Sequence, residues 1–261
     1  MQAARFVLLC GFLLFTAGAQ AENAFRVVDI PTRPGVTQRF LYAAPPHAKA
    51  AVILFAGGHG GLNIKDDGGI AWGSGNFLVR SRDLFVAQGL AVAVIDKPSD
   101  RVDLGVTRQT AEHVTDVQAL MAWLRQQAPI PVWLVGTSRG TQSAAYVAVV
   151  LAGDPGAPEG LVLSSTILSD FNSRPVPAMA LDQLRRPVLV VHHEADACKK
   201  TLYGDVPRLM NQLENVSRKE LITLQGGENQ GDPCESRAYH GFNGLEKDAV
   251  ARIAGWILAS S

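Results

Sequence analysis

Two patterns of hydrophobic and polar positions follow one another from residue 25 onward. Residues 25–30 (FRVVDI) and 37–42 (TQRFLY) alternate polar with apolar side chains and are separated by 31–35 (PTRPG). Each has one apolar and one wet face, which predicts an exposed antiparallel pair at a sheet edge. The runs 51–56 (AVILFA), 90–95 (LAVAVI), 131–135 (PVWLV), 160–164 (GLVLS), 187–191 (PVLVV) and 219–224 (KELITL) differ, being nearly continuous in apolar residues. Such runs predict parallel strands buried on both faces. Between them, 76–88, 107–127, 138–151, 201–213 and 243–258 place apolar residues at three-to-four spacing, as amphipathic helices do. In 107–127, Val114, Val117, Leu120, Met121 and Leu124 oppose Glu112, Asp116, Gln118 and Arg125. The alternation predicts an α/β fold: a mostly parallel eight-stranded sheet with helices on both faces.

Composition narrows the class. A chain of 261 residues that is 47% hydrophobic and 18% charged fits one large α/β domain, here 22–261. Twenty-four Lys and Arg balance twenty-four Asp and Glu without any run of like charge, so no field favours nucleic acid as a partner. The first residues carry Arg5, an apolar stretch over 6–16, and small residues Ala19 and Ala21, the pattern of a secretory signal peptide over 1–21. The stretch is shorter than the roughly 20 residues that span a bilayer, and no second long apolar segment follows. The expected mature protein is therefore exported, periplasmic or secreted, without a membrane span. Removal of Cys10 leaves Cys198 and Cys234, which are expected to pair in an oxidising compartment. Two cysteines without nearby paired histidines are a poor zinc set, so no metal is expected.

The chemistry lies in three segments. The strand 131–135 runs into Gly136-Thr137-Ser138-Arg139-Gly140 and then a helix, which places G-x-S-x-G on the strand-turn-helix it requires. A tight turn lifts the Ser138 hydroxyl from the sheet, and the helix N-terminus and the Arg139 N–H are positioned for an oxyanion. A second oxyanion donor is expected from Gly57-Gly58-His59-Gly60-Gly61, where both Gly58 and His59 are candidates. No Gly-Lys-Ser/Thr closes that run, which excludes a phosphate loop. A serine also needs a base, and the base needs an acid. On such an elbow the acid and then the histidine follow the serine, after later strands. Asp196 is the better-placed acid and Glu194 its rival; His240 is the one histidine beyond both. A Cys198–Cys234 bond would clamp the two loops that carry Asp196 and His240.

GTSRG at 136–140, GGHGG at 57–61, and Asp196 and His240 in that order resemble the α/β-hydrolase superfamily over 25–258. The resemblance implies a cofactor-free serine hydrolase acting through an acyl-enzyme, most often on a small-molecule ester. A peptidase, amidase or thioesterase would use the same three residues, and a non-catalytic binding protein on this fold is the alternative from another class. Members often carry a lid between the sixth and seventh strands; here only 165–186 is available, so any cover is minimal. Arg139 and Arg101 are candidate contacts to an anionic substrate, Trp72 and Phe77 a candidate apolar wall, and His192 and His193 are expected to be structural.

Overall fold

A computed structural model describes residues 24–260. The expected signal peptide at 1–21, with Cys10, lies outside the described residues. The strands are β1 (Arg26–Arg33), β2 (Val36–Ala43), β3 (Ala50–Phe55), β4 (Leu90–Pro98), β5 (Val132–Thr137), β6 (Gly160–Ser164), β7 (Val188–His193) and β8 (Lys219–Leu224). They form one sheet in the order β1-β2-β4-β3-β5-β6-β7-β8. β1 pairs antiparallel with β2, and β2 antiparallel with β4; every later pairing is parallel. The helices are α1 (Phe77–Arg80), α2 (Arg82–Ala87), α3 (Ala111–Gln127), α4 (Gly140–Val150), α5 (Val206–Gln212) and α6 (Glu246–Leu258).

The apolar runs are explained by a core on each side of the sheet. In β3, Ala51, Ile53 and Phe55 join the layer packed by α3, α4 and α5, while Val52 and Leu54 join the layer packed by α1, α2 and α6. β4 divides the same way, with Ala91, Ala93 and Ile95 on one side and Val92 and Val94 on the other. A strand covered on both faces has no polar positions to alternate with.

Several predicted elements differ from the sequence reading, four of them in ways that bear on the fold. β1 continues through Pro31 to Arg33, with a bulge between Pro31 and Arg33, so the connection to β2 shortens. Proline is accepted there because β1 is an edge strand. β8 is the opposite edge: Lys219 and Glu220 are exposed, so the expectation of burial on both faces fails for this strand. The helix expected at 76–88 is two short helices meeting at Ser81. The helix expected from residue 201 begins only at Val206, with Pro207 in its first turn. Tyr203–Asp205 form a single 3-10 turn before it, and Thr201, ahead of that turn, points inward, fully buried.

Candidate active site

β5 ends at Thr137 and α4 begins at Gly140, so Ser138 and Arg139 make the whole turn. Ser138 has φ 51°, in the left-handed region that a residue with a Cβ rarely enters. Three hydrogen bonds hold it there. Its N–H donates to the Ser164 carbonyl at the end of β6 (3.0 Å), and its own carbonyl accepts from Thr141 N–H (2.9 Å) and Thr141 Oγ1 (2.6 Å). The turn is so tight that a Cβ on Gly136 would lie 2.6 Å from the Gly140 carbonyl oxygen.

The loop after β7 supplies Asp196, and a short turn before α6 supplies His240. Both are buried, and His240 Nδ1 lies 3.0 Å from Asp196 Oδ2. The other carboxylate oxygen accepts from Cys198 N–H at 3.0 Å. Thr201 Oγ1 donates to Asp196 Oδ2 (2.8 Å) and sits 3.1 Å from His240 Nδ1. With its Nδ1–H given to Asp196, His240 keeps Nε2 as an acceptor. Glu194 is exposed and accepts from Gln225 Nε2, away from the histidine. Ser138 and His240 line one cleft of about 300 Å³, together with Gly57, Gly58, Trp72 and Phe77.

Several supporting residues carried no sequence signal. Arg80 donates to the carbonyls of Gly75 (2.6 Å) and Gly241 (2.7 Å) and to Glu246 (2.9 Å), joining the cleft wall to the His240 turn and to α6. Buried Arg108 donates to the Ala56 and Gly58 carbonyls (2.9 and 3.2 Å) and to Ser143 Oγ (2.9 Å), fixing the 57–61 loop against α4. Asp96, at the end of β4, accepts the N–H groups of Leu62, Asn63 and Ile64 and so pins the following stretch of that loop. Each of these residues is distant in sequence from what it holds, and an isolated Arg, Asp or Thr has no local pattern to mark it.

The oxyanion candidates separate. Gly58, at φ 57°, lines the cleft with Ser138. His59 stacks on Trp72, with ring centroids 3.5 Å apart, and faces a different cleft. Arg139 sends its Nη2 to the Gly105 carbonyl (2.8 Å). Arg101 is away from the site: it lies 3.6 Å from Asp100 and borders another depression, so its candidacy as a substrate contact falls.

Neither His192 nor His193 lines the cleft of Ser138; both are buried and bonded within the fold. His193 accepts from Ala195 N–H (3.0 Å), has Nε2 2.9 Å from the Gly226 carbonyl, and stacks on Tyr239 at 4.2 Å. His192 Nε2 accepts from Thr166 N–H at 2.8 Å. Burial pulls His192 down to about 3; burial, aided by the Arg108 charge, does the same to His113 on α3. In the unfolded chain both titrate near 6.5. Between those values the unfolded state binds more protons, so stability is full above pH 6.5 and is lost as the pH falls. Each histidine contributes on the order of 1 kcal/mol per pH unit in that window. The unfolding midpoint is expected to hold from pH 8 to 7 and drop steadily below 6, less steeply in His113→Gln. An equal slope in that variant would assign the acid sensitivity elsewhere.

Cys198 and Cys234 are disulfide-bonded, with Cα atoms 4.6 Å apart. The bond ties the Asp196 loop to the segment that leads into His240, and Cys234 lines the cleft. Closing a loop of 36 residues is worth roughly 3–4 kcal/mol on the chain-entropy model. Cys198→Ser with Cys234→Ser is therefore expected to lower stability by about that amount and to reduce kcat more than it changes KM. Unchanged kcat and unfolding midpoint would remove any preorganising role.

No protein-family model and no curated protein matches the chain. Solved structures do. A cold-adapted esterase from an Arctic intertidal metagenomic library aligns at 19% identity and TM-score 0.55, covering 77% of this chain and 84% of its own. An esterase from Pyrococcus furiosus aligns at 13% identity and TM-score 0.60, covering 90% and 91%. A lidless a/b serine hydrolase from Xanthomonas campestris aligns at 18% identity and TM-score 0.55, covering 89% and 95%. With an eight-stranded sheet of this order, a left-handed serine at the turn after β5, and these likenesses over most of its length, the chain has the α/β-hydrolase fold.

Proposed function

We propose that the chain is an exported serine hydrolase that cleaves a small carboxylic ester through an acyl-enzyme on Ser138. The observation that carries this reading is the convergence on one cleft of a left-handed Ser138 and a His240 whose Nδ1 is held by a buried Asp196. Ser138 Oγ attacks the carbonyl while His240 Nε2 takes its proton. Asp196 fixes the tautomer and stabilises the imidazolium that forms. Thr201, donating to the same carboxylate oxygen, holds that carboxylate in place. The N–H groups of Gly58 and Arg139 stabilise the oxyanion: Gly58 faces the cleft, and Arg139 directly follows the serine at the start of α4. His240 then returns its proton to the leaving alcohol, and water releases the acid by the same steps in reverse. The esterases among the structural likenesses support the ester as the bond cleaved.

The test is labelling of the mature protein with a fluorophosphonate probe, followed by turnover of short 4-nitrophenyl esters. Wild type is expected to label and to turn over; Ser138→Ala and His240→Ala are expected to do neither. A folded wild type that takes no label would overturn the reading in favour of a binding protein.

A further inference from the structure

Neighbouring residues at the site line different clefts. Gly58 and Ser138 face the cleft of His240, whereas His59 and Arg139 line a second cleft of about 600 Å³. The stacked pair of Trp72, on the first cleft, and His59, on the second, forms the wall they share.

The two clefts differ in charge. Glu235 is the charged side chain, His240 aside, that lines the first. The second is lined by Arg108, Arg139 and Arg174 against a single carboxylate, Asp103, whose Oδ1 already accepts the Gly105 N–H at 2.7 Å. Among the described residues, none of these three guanidiniums has a carboxylate partner within 4.0 Å. Burial, and after it the charge of Arg139, pulls Arg108 down to about 9 against the opposing pull of Asp103. Arg108 and Arg139 are partly committed to backbone carbonyls.

Arg174 is not. Its carbonyl accepts two side-chain amides, from Gln109 Nε2 and Gln142 Nε2 (2.8 Å each), which pin the loop backbone. Its exposed guanidinium has no partner among the described residues. An uncommitted cation on a pinned backbone, at the edge of a cleft already positive, is available to an anion: a guanidinium fork matches a carboxylate or phosphate in two parallel hydrogen bonds.

We propose that this second cleft is a subsite for an anionic group, a carboxylate or a phosphate, carried by the ester that Ser138 cleaves; the inference rests on the hydrolase reading above. Arg139 lines this cleft and directly follows the nucleophile, so the two clefts lie side by side. The substrate class is then an ester with a second acidic function, such as the half-ester of a dicarboxylic acid.

The first measurement is independent of catalysis. Succinate and inorganic phosphate are titrated separately into Ser138→Ala and into Ser138→Ala with Arg174→Gln, and the unfolding midpoints of the two are compared to establish that both are folded. One of the anions is expected to bind, about tenfold more weakly once Arg174 is replaced; the tighter binder identifies the group. The second measurement is the ratio of kcat/KM for 4-nitrophenyl hemisuccinate to that for neutral 4-nitrophenyl butyrate. A carboxylate subsite gives a ratio well above one that falls about tenfold in Arg174→Gln and falls with added salt. Turnover of the butyrate ester with no binding of either anion would overturn the subsite and leave the hydrolase reading intact. Anion binding sensitive to Arg174, with neither ester turned over and no fluorophosphonate label, would overturn the hydrolase reading and with it the role in ester binding, leaving an anion site alone.

Discussion

Replacing Ser138 with alanine is expected to lower kcat/KM for a short 4-nitrophenyl ester by a factor of about 10⁴ or more. The fold should survive, because alanine meets the same left-handed φ of 51° that serine does. Ser138→Gly should be equally inactive and more stable than Ser138→Ala, by about 1 kcal/mol, since glycine enters that region without strain. His240→Ala should lose activity to a similar degree, and the double variant little more, because the groups act as one unit. Asp196→Asn tests the orienting role separately, since the amide can hold His240 in the wrong tautomer. Steady-state kinetics with unfolding midpoints measured on the same preparations decide it. Ester turnover retained in Ser138→Ala at more than a hundredth of wild type would remove Ser138 as nucleophile.

Gly140→Ala is expected to produce a large loss of stability. A Cβ there would lie 2.0 Å from the Phe55 carbonyl oxygen and 2.9 Å from that of Ala56. Both are backbone atoms at the end of β3, in the middle of the sheet, so no side chain can swing aside. The first turn of α4 must move off β3, and with it the serine turn and the 57–61 loop. The expected loss is about 3 kcal/mol or more, lowering the midpoint by roughly 10 °C for a chain of this size, with activity falling more than the folded fraction does. Gly153→Ala is the control, because a Cβ at that position meets nothing within 4 Å. Similar midpoints for the two variants would show that α4 tolerates displacement.

The sequence by itself determined the central strands, because a strand covered on both faces must be apolar throughout, and 51–56 and 90–95 contain no polar residue. It also determined the serine turn, since G-x-S-x-G between strand and helix is a local pattern with a steric cause. Where the reading failed, a local signal met an interaction from elsewhere. The strand at 219–224 resembled the others until its place at the sheet edge exposed Lys219 and Glu220, and sheet order is not a local property. Pro207, a local cue, marked the first turn of α5, but only the tertiary structure turned Thr201 onto Asp196. The contacts of Arg80 and Arg108, the division of His59 and Gly58 between two clefts, and the company of Arg174 were likewise decided by tertiary structure. Each depends on side chains from segments far apart in the chain meeting in one place, and the periodicity of any single segment carries no record of its partner.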